Sequence, residues 1–263
     1  MDGLKHFRAQ AIIFDKDGTL IDFDAMWGGW VVYLAEQLHL VSGLNVREAL
    51  CLTMGYDDKT RKVSATGKLA SRPMSQLYQA TIDVVQSFGL NTSEAECIVE
   101  KAWCIPDPVM LARPLTNLWS LFSNLREHGI QIAIATADDR APTQAMIEAF
   151  DIEEFISTMA CADDGIPSKP APDMVLTVCQ RLNLDPKNVM VIGDTASDLK
   201  MARAAGAGLA VGVLSGVSST KDLIPYADVL IESIDELHDY ILTLDEAKSS
   251  AHTQQGLDPD FAF

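Results

Sequence analysis

A chain of 263 residues can bury a large core, and 48% hydrophobic with 22% charged residues is ordinary for a globular protein in water. The formal net charge of −17 argues against nucleic-acid or anionic-membrane partners, since both need basic surfaces. Neither a bilayer-length apolar run nor a signal peptide is visible, and five scattered cysteines without a C-x-x-C pair suit a reduced, cytoplasmic setting.

The first element is the apolar run Ala11-Ile12-Ile13-Phe14, which meets Asp15-Lys16-Asp17-Gly18 and reads as a buried strand ended by a turn. Helical spacing follows over 26–40, 45–54 and 75–88, the last closed by Gly89. Ser93 and Glu96 suggest a capping box for a helix through Trp103. No strand signal appears between about 24 and 107, so that stretch is expected to be an all-helical insert. The pattern then alternates. A helix is expected over 115–128, a strand over 130–136, a helix over 143–150 and a weak strand near 158–161. After these come a helix at Asp173–Leu182, a strand at Val189–Gly193, a helix over 197–205, and strands at Leu209–Val213 and Val229–Ile231. Apolar strands alternating with helices predict an α/β fold, a Rossmann-like doubly wound parallel sheet with helices on both faces. The expected division is a core of 1–23 and 108–245, an inserted helical cap of 24–107, and a polar, aperiodic and disordered tail of 246–263.

In such a sheet, ligands gather beyond the carboxyl ends of the strands. At those ends the sequence places Asp15 and Asp17, then Thr136 and Ala137, then Lys169 beyond Asp163 and Asp164, then Asp194 and Asp198. Two unpaired carboxylates about 4 Å apart repel by roughly 4 kcal/mol at an effective dielectric near 20, so a cation or a proton must accompany them. Each residue alone has a plainer role: an Asp-Gly turn, a helix cap, a solvated loop lysine. Their coincidence at one edge of the sheet favours a site.

Asp15-Lys16-Asp17-Gly18-Thr19-Leu20, Thr136, Lys169-Pro170-Ala171-Pro172-Asp173 and Gly193-Asp194-Thr195-Ala196-Ser197-Asp198 together resemble the four ordered motifs of the haloacid dehalogenase superfamily of phosphohydrolases. The resemblance spans about 8–245, and the insert is similar to the cap of phosphoglycolate phosphatases. It implies Asp15 as the nucleophile forming an aspartyl-phosphate and Asp17 as general acid and base. It implies Mg²⁺ held by Asp15, Asp194 and the Asp17 backbone carbonyl, with Asp198 behind them orienting a metal-bound water or Lys169. Thr136 and the Ala137 N–H would cradle phosphate oxygens, and Lys169 would offset the charge of nucleophile and phosphate.

Competing motifs are weaker. Gly18 stands at the wrong position for an EF-hand loop, Gly206-Ala207-Gly208 leads from helix to strand, and no histidine adjoins a motif. The stretch from Asp57 to Pro73 carries Lys59, Arg61, Lys62, Lys68 and Arg72, either as a solvated loop or as a basic face toward an anionic substrate. Trp27 and Trp30 either line that pocket or pack between insert helices. The reading is a Mg²⁺-dependent phosphatase acting on a small-molecule phosphate ester of the phosphoglycolate type. A phosphosugar mutase and a catalytically silent binding or regulatory protein are the alternatives. Dehalogenation is disfavoured, because the resembling dehalogenases lack an equivalent of Asp17.

Overall fold

A computed structural model of the chain describes residues 2–72 and 74–245. Its strands are β1 (Ala11–Phe14), β2 (Tyr56–Asp57), β3 (Lys62–Val63), β4 (Gln131–Ala135), β5 (Ile156–Ala160), β6 (Val189–Gly193), β7 (Leu209–Val213) and β8 (Val229–Ile231). Six of them form the expected doubly wound sheet in the order β5-β4-β1-β6-β7-β8, every pairing parallel. The strand order reverses at β1, with Phe14 in register with Ile134 on one side and Ile192 on the other. That reversal opens the crevice in which ligands of open α/β sheets bind.

Strand alternation divides the core in two. Ile12, Phe14, Ile132, Ile134, Met190 and Ile192 pack with Leu121, Phe122 and Leu125 of the helix Leu118–Glu127, and with the helical stretch 237–245. The Phe14 and Phe122 ring centroids lie 5.4 Å apart. On the opposite face Ala11, Ile13, Ala133, Val189 and Val191 meet Met174, Val175 and Val178 of Asp173–Leu182, and Leu199 of Ala196–Ala205. A strand buried on both faces must be apolar throughout, which explains the unbroken Ala-Ile-Ile-Phe run. Truncating Ile13 to alanine there would cost about 2–5 kcal/mol.

The insert leaves β1 through a π-helix at Asp24–Gly28 that runs directly into the helix Gly29–Ser42. Arg47–Met54, Lys68–Ser71, Met74–Gln86 and Thr92–Ala102 follow, and Pro108–Leu111 leads back. Trp30, Leu34, Leu50, Leu77, Val85 and Val99 give this segment a hydrophobic core of its own.

Several expectations are corrected. The insert is not all-helical, because β2 and β3 pair as an antiparallel hairpin, with Tyr56 opposite Val63. Two-residue strands are too short to show a period in the sequence. Asp24 fastens the hairpin to the entry π-helix, accepting from Val63 N at 2.6 Å and Lys62 Nζ at 2.7 Å. Gly28 makes room, since a Cβ there would lie 2.2 Å from the Tyr56 ring. The capping box is Asn91 with Glu94, not Ser93 with Glu96; the same three-residue spacing occurs two residues earlier. The helix expected over 115–128 starts at Leu118 under an Asn117 cap, because Leu115 N–H instead bonds Leu20 carbonyl at 3.0 Å. All five cysteines are free, and no helix among the described residues is long and apolar enough to cross a membrane. The disorder expected over 246–263 falls outside the described residues.

Candidate active site

Three parallel strands deliver the site. Beyond β1 the chain turns at once: Lys16 carbonyl accepts from Leu20 N–H at 2.9 Å and Ile21 N–H at 3.1 Å. Asp15 N–H still continues the sheet pattern, donating to Ile192 carbonyl at 2.8 Å, so the backbone at Asp15 is held rigidly. Gly18 carries φ of +87°, a left-handed conformation that favours glycine, and a Cβ there would stand 2.6 Å from Asp194 Oδ2. Beyond β6, Asp194 precedes the helix Ala196–Ala205, whose capping box joins Thr195 and Asp198. Beyond β4, Thr136 and Ala137 precede the helix Arg140–Ala149.

Asp15, Thr136, Lys169, Asp194 and Asp198 thus meet in one cleft, with Asp17 and Ala137 on its wall. Lys169 Nζ lies 2.5 Å from Asp15 Oδ1 and 2.6 Å from Asp198 Oδ1. Asp198 Oδ2 accepts from Thr195 Oγ1 at 2.5 Å and Thr195 N–H at 3.0 Å. Asp194 Oδ2 accepts from Val217 N–H at 2.9 Å, whereas its buried Oδ1 has no hydrogen-bond partner. Thr136 is buried, and its hydroxyl accepts from Asp138 N–H at 3.1 Å.

The electrostatics follow from three buried carboxylates sharing one ammonium. Burial raises Asp15 to about 7; Lys169 opposes that shift, while Asp198 and Asp17 add to it. Burial, with Asp15 and Asp198 nearby, raises Asp194 well above the usual carboxylate range. Burial alone would lower Lys169, but Asp15 and Asp198 outweigh it and hold the ammonium above its ordinary value. Asp15, Asp194 and Asp198 can each offer a carboxylate oxygen to one point, these atoms lying within 4.8 Å of one another. An all-oxygen anionic set with an unpartnered, buried Asp194 Oδ1 fits a hard divalent cation. The Asp17 side chain stands outside that set.

Two features of the site went unread in the sequence. Lys16 is completely buried and bridges Asp17 Oδ1 at 2.9 Å and Asp138 Oδ2 at 3.1 Å. Burial opposes its charge, yet the two carboxylates keep its ammonium above the ordinary value. The turn after β7 also joins the site: Ser215 Oγ donates to Gly18 carbonyl at 2.8 Å, and a Cβ on Gly216 would overlap the Asp194 carboxylate. Applying the strand-end rule to β7 as well would have found it. Asp163 and Asp164 serve a different purpose, receiving Arg140 N–H and the Arg140 guanidinium.

Trp27, Leu69, Ala70, Arg72 and Met74 of the insert, with Phe23 just before it, form the opposite wall of the cleft, whose volume is about 580 Å³. Of the five basic residues singled out in the insert, only Arg72 lines it; Lys62 is spent on Asp24. Trp27 reaches the cleft beside Phe23, with ring centroids 6.0 Å apart. Trp30 is buried among the insert helices and donates Nε1–H to Cys104 carbonyl at 2.9 Å.

The chain is 23% identical to N-acetylmuramic acid 6-phosphate phosphatase of Pseudomonas aeruginosa, over 90% of its own length and 97% of the relative's. It is 29% identical to phosphoglycolate phosphatase of Escherichia coli K12, over 43% of this chain and 45% of that one. Among solved structures, a Thermotoga maritima protein described as a candidate β-phosphoglucomutase superposes with a TM-score of 0.56 at 20% identity, covering 91% of this chain and 98% of that one. At that identity the likeness shows the fold alone. The model of the haloacid dehalogenase-like hydrolases matches residues 9–206, a span that runs from β1 through all four strand-end motifs, and the chain belongs to that family.

Proposed function

We propose that this hydrolase is a Mg²⁺-dependent phosphomonoesterase that works through an aspartyl-phosphate on Asp15. The observation that carries the reading is Asp15 beside Lys169 in the cleft, with a carboxylate oxygen of Asp194 and one of Asp198 within 4.8 Å. The free Asp15 oxygen attacks phosphorus, and the ester oxygen departs with a proton from Asp17. Asp17 then takes a proton from the water that cleaves the acyl phosphate, returning Asp15 to its starting form. Lys169 favours the ionised form of Asp15 against the effect of burial and offsets its repulsion of the incoming phosphate. Thr136 and the Ala137 N–H hold phosphate oxygens at the start of a helix. Asp15, Asp194 and the Asp17 carbonyl would ligate Mg²⁺, with Asp198 steering Lys169 from behind. When bound there, the cation would offset charge on the transferring group.

The insert (24–107) acts as the cap over a core of 1–23 and 108–245, and its wall of the cleft selects the leaving group. Arg72 and the aromatic pair Phe23 and Trp27 suit a small organic phosphate carrying a second anionic group. Both relatives named above are phosphatases of acids, which supports a phosphoglycolate-like or acid-sugar ester. The test is phosphate release across a panel of acidic and neutral phosphomonoesters, with and without Mg²⁺. Cation-dependent release that favours acidic esters is expected. Isomerised phosphate ester without free phosphate would mark a mutase, and no turnover of any ester would contradict the proposal.

A further inference from the structure

Lysine is almost never fully buried unless it is paired, yet Lys16 has no exposed surface and sits between two carboxylates. It lies one residue past Asp15 and one before Asp17, at the reversal of the sheet. Its far partner is fixed. Asp138 Oδ1 accepts from Asp139 N–H at 2.9 Å, and its carbonyl accepts from Ala162 N–H at 2.9 Å. The Asp138 N–H donates to the Thr136 hydroxyl at 3.1 Å. One chain of contacts therefore runs Asp17, Lys16, Asp138, Thr136, and joins the β1 turn to the β4 turn.

We propose that Lys16 is a positioning residue: its buried ammonium bridges Asp17 to Asp138 and so fixes the proton-transfer carboxylate against the phosphate-holding loop. The inference rests on the role given to Asp17 above. Holding Asp17 through Oδ1 leaves Oδ2 to carry the proton. Without the ammonium, Asp17 and Asp138 face each other with no cation between them, and Asp17 turns away from the leaving group. Asp15 and Lys169 stay in place, because their contacts do not involve Lys16.

This separates proton delivery from nucleophilic attack, and the leaving group reports the difference. An alkyl phosphate departs as a strongly basic alkoxide that needs a proton; p-nitrophenyl phosphate departs as a weakly basic phenolate that needs little. The kcat/KM value covers only the steps through ester cleavage, so later hydrolysis of the acyl phosphate does not blur the comparison. For Lys16→Met, kcat/KM is expected to fall on the order of 100-fold with an alkyl phosphomonoester and less than about 5-fold with p-nitrophenyl phosphate. Asp138→Asn, at a side chain 29% exposed and so tolerant of substitution, should show the same bias at about 5-fold, and decides the matter if Lys16→Met does not fold. Equal losses on the two esters, or none, would overturn the inference. If the wild-type protein cleaves neither ester, the functional reading itself fails and the inference falls with it.

Discussion

At the strand ends, two buried lysines each hold two carboxylates: Lys169 joins Asp15 and Asp198, and Lys16 joins Asp17 and Asp138. In the insert the cations lie at the surface. Lys62 is 74% exposed where it meets Asp24, and Arg47 meets Asp58 and Glu36 in solvent. Exposed pairs of this kind contribute about 0–1 kcal/mol and fix little. Breaking a buried pair costs several kcal/mol, because a charge is left stranded. The strand ends therefore have one workable arrangement, while surface pairs leave the insert free to vary; under the proposed function the first carry the chemistry and the second the choice of substrate.

The sharpest way to break this comparison is Lys169→Met. Losing the ammonium leaves Asp15 and Asp198 uncompensated, and kcat for a small phosphomonoester should fall by about 10²–10³-fold. Gly216→Ala is next. Its Cβ falls on the Asp194 carboxylate, so affinity for Mg²⁺, read by titration calorimetry, should weaken about 10–100-fold while the cap is untouched. A smaller effect is expected at the insert. Arg72→Ala should raise KM for an acidic phosphomonoester about tenfold, one charged contact of roughly 1.4 kcal/mol, and leave KM for p-nitrophenyl phosphate unchanged. Lys62→Ala should change neither, since its partner is Asp24.

The smallest effect is on pH dependence. Asp15 titrates near 7 when folded against 3.8 for the free side chain, so between those values the native state carries an extra proton. Stability of the cation-free protein therefore falls as pH rises across that window and levels off above about 7. Mg²⁺ replaces the proton, so its stabilisation, read as a Tm increase, should be larger at about pH 8 than at about pH 5.5.

The same contrast governs what could be read from the sequence. The bounds of Val189–Gly193 and Leu209–Val213 are legible because burial on both faces makes them apolar throughout, and those of Asp173–Leu182 and Val229–Ile231 because an apolar pattern is punctuated by Asn or Asp. Asp15, Lys169, Asp194 and Asp198 were legible as a group, since the strand-end rule gathers them before any contact is known. Lys16 was not, because sequence spacing says nothing of which buried carboxylates a long side chain reaches. The Gly216 turn was missed because β7 ends without a charged residue. The hairpin of β2 and β3 and the choice of Arg72 from five basic residues depend on how the insert packs, which surface charges do not encode.

The central claim is that Asp15 carries the phosphoryl group during turnover. Acid quenching of the working enzyme with Mg²⁺ and a small phosphomonoester, followed by peptide mapping in a mass spectrometer, tests it directly. The expected result is one hydroxylamine-labile phosphoryl group on the peptide containing Asp15, absent from Asp15→Asn, which folds but does not turn over. A phosphoryl group on another residue, or near wild-type hydrolysis by Asp15→Asn, would contradict the account.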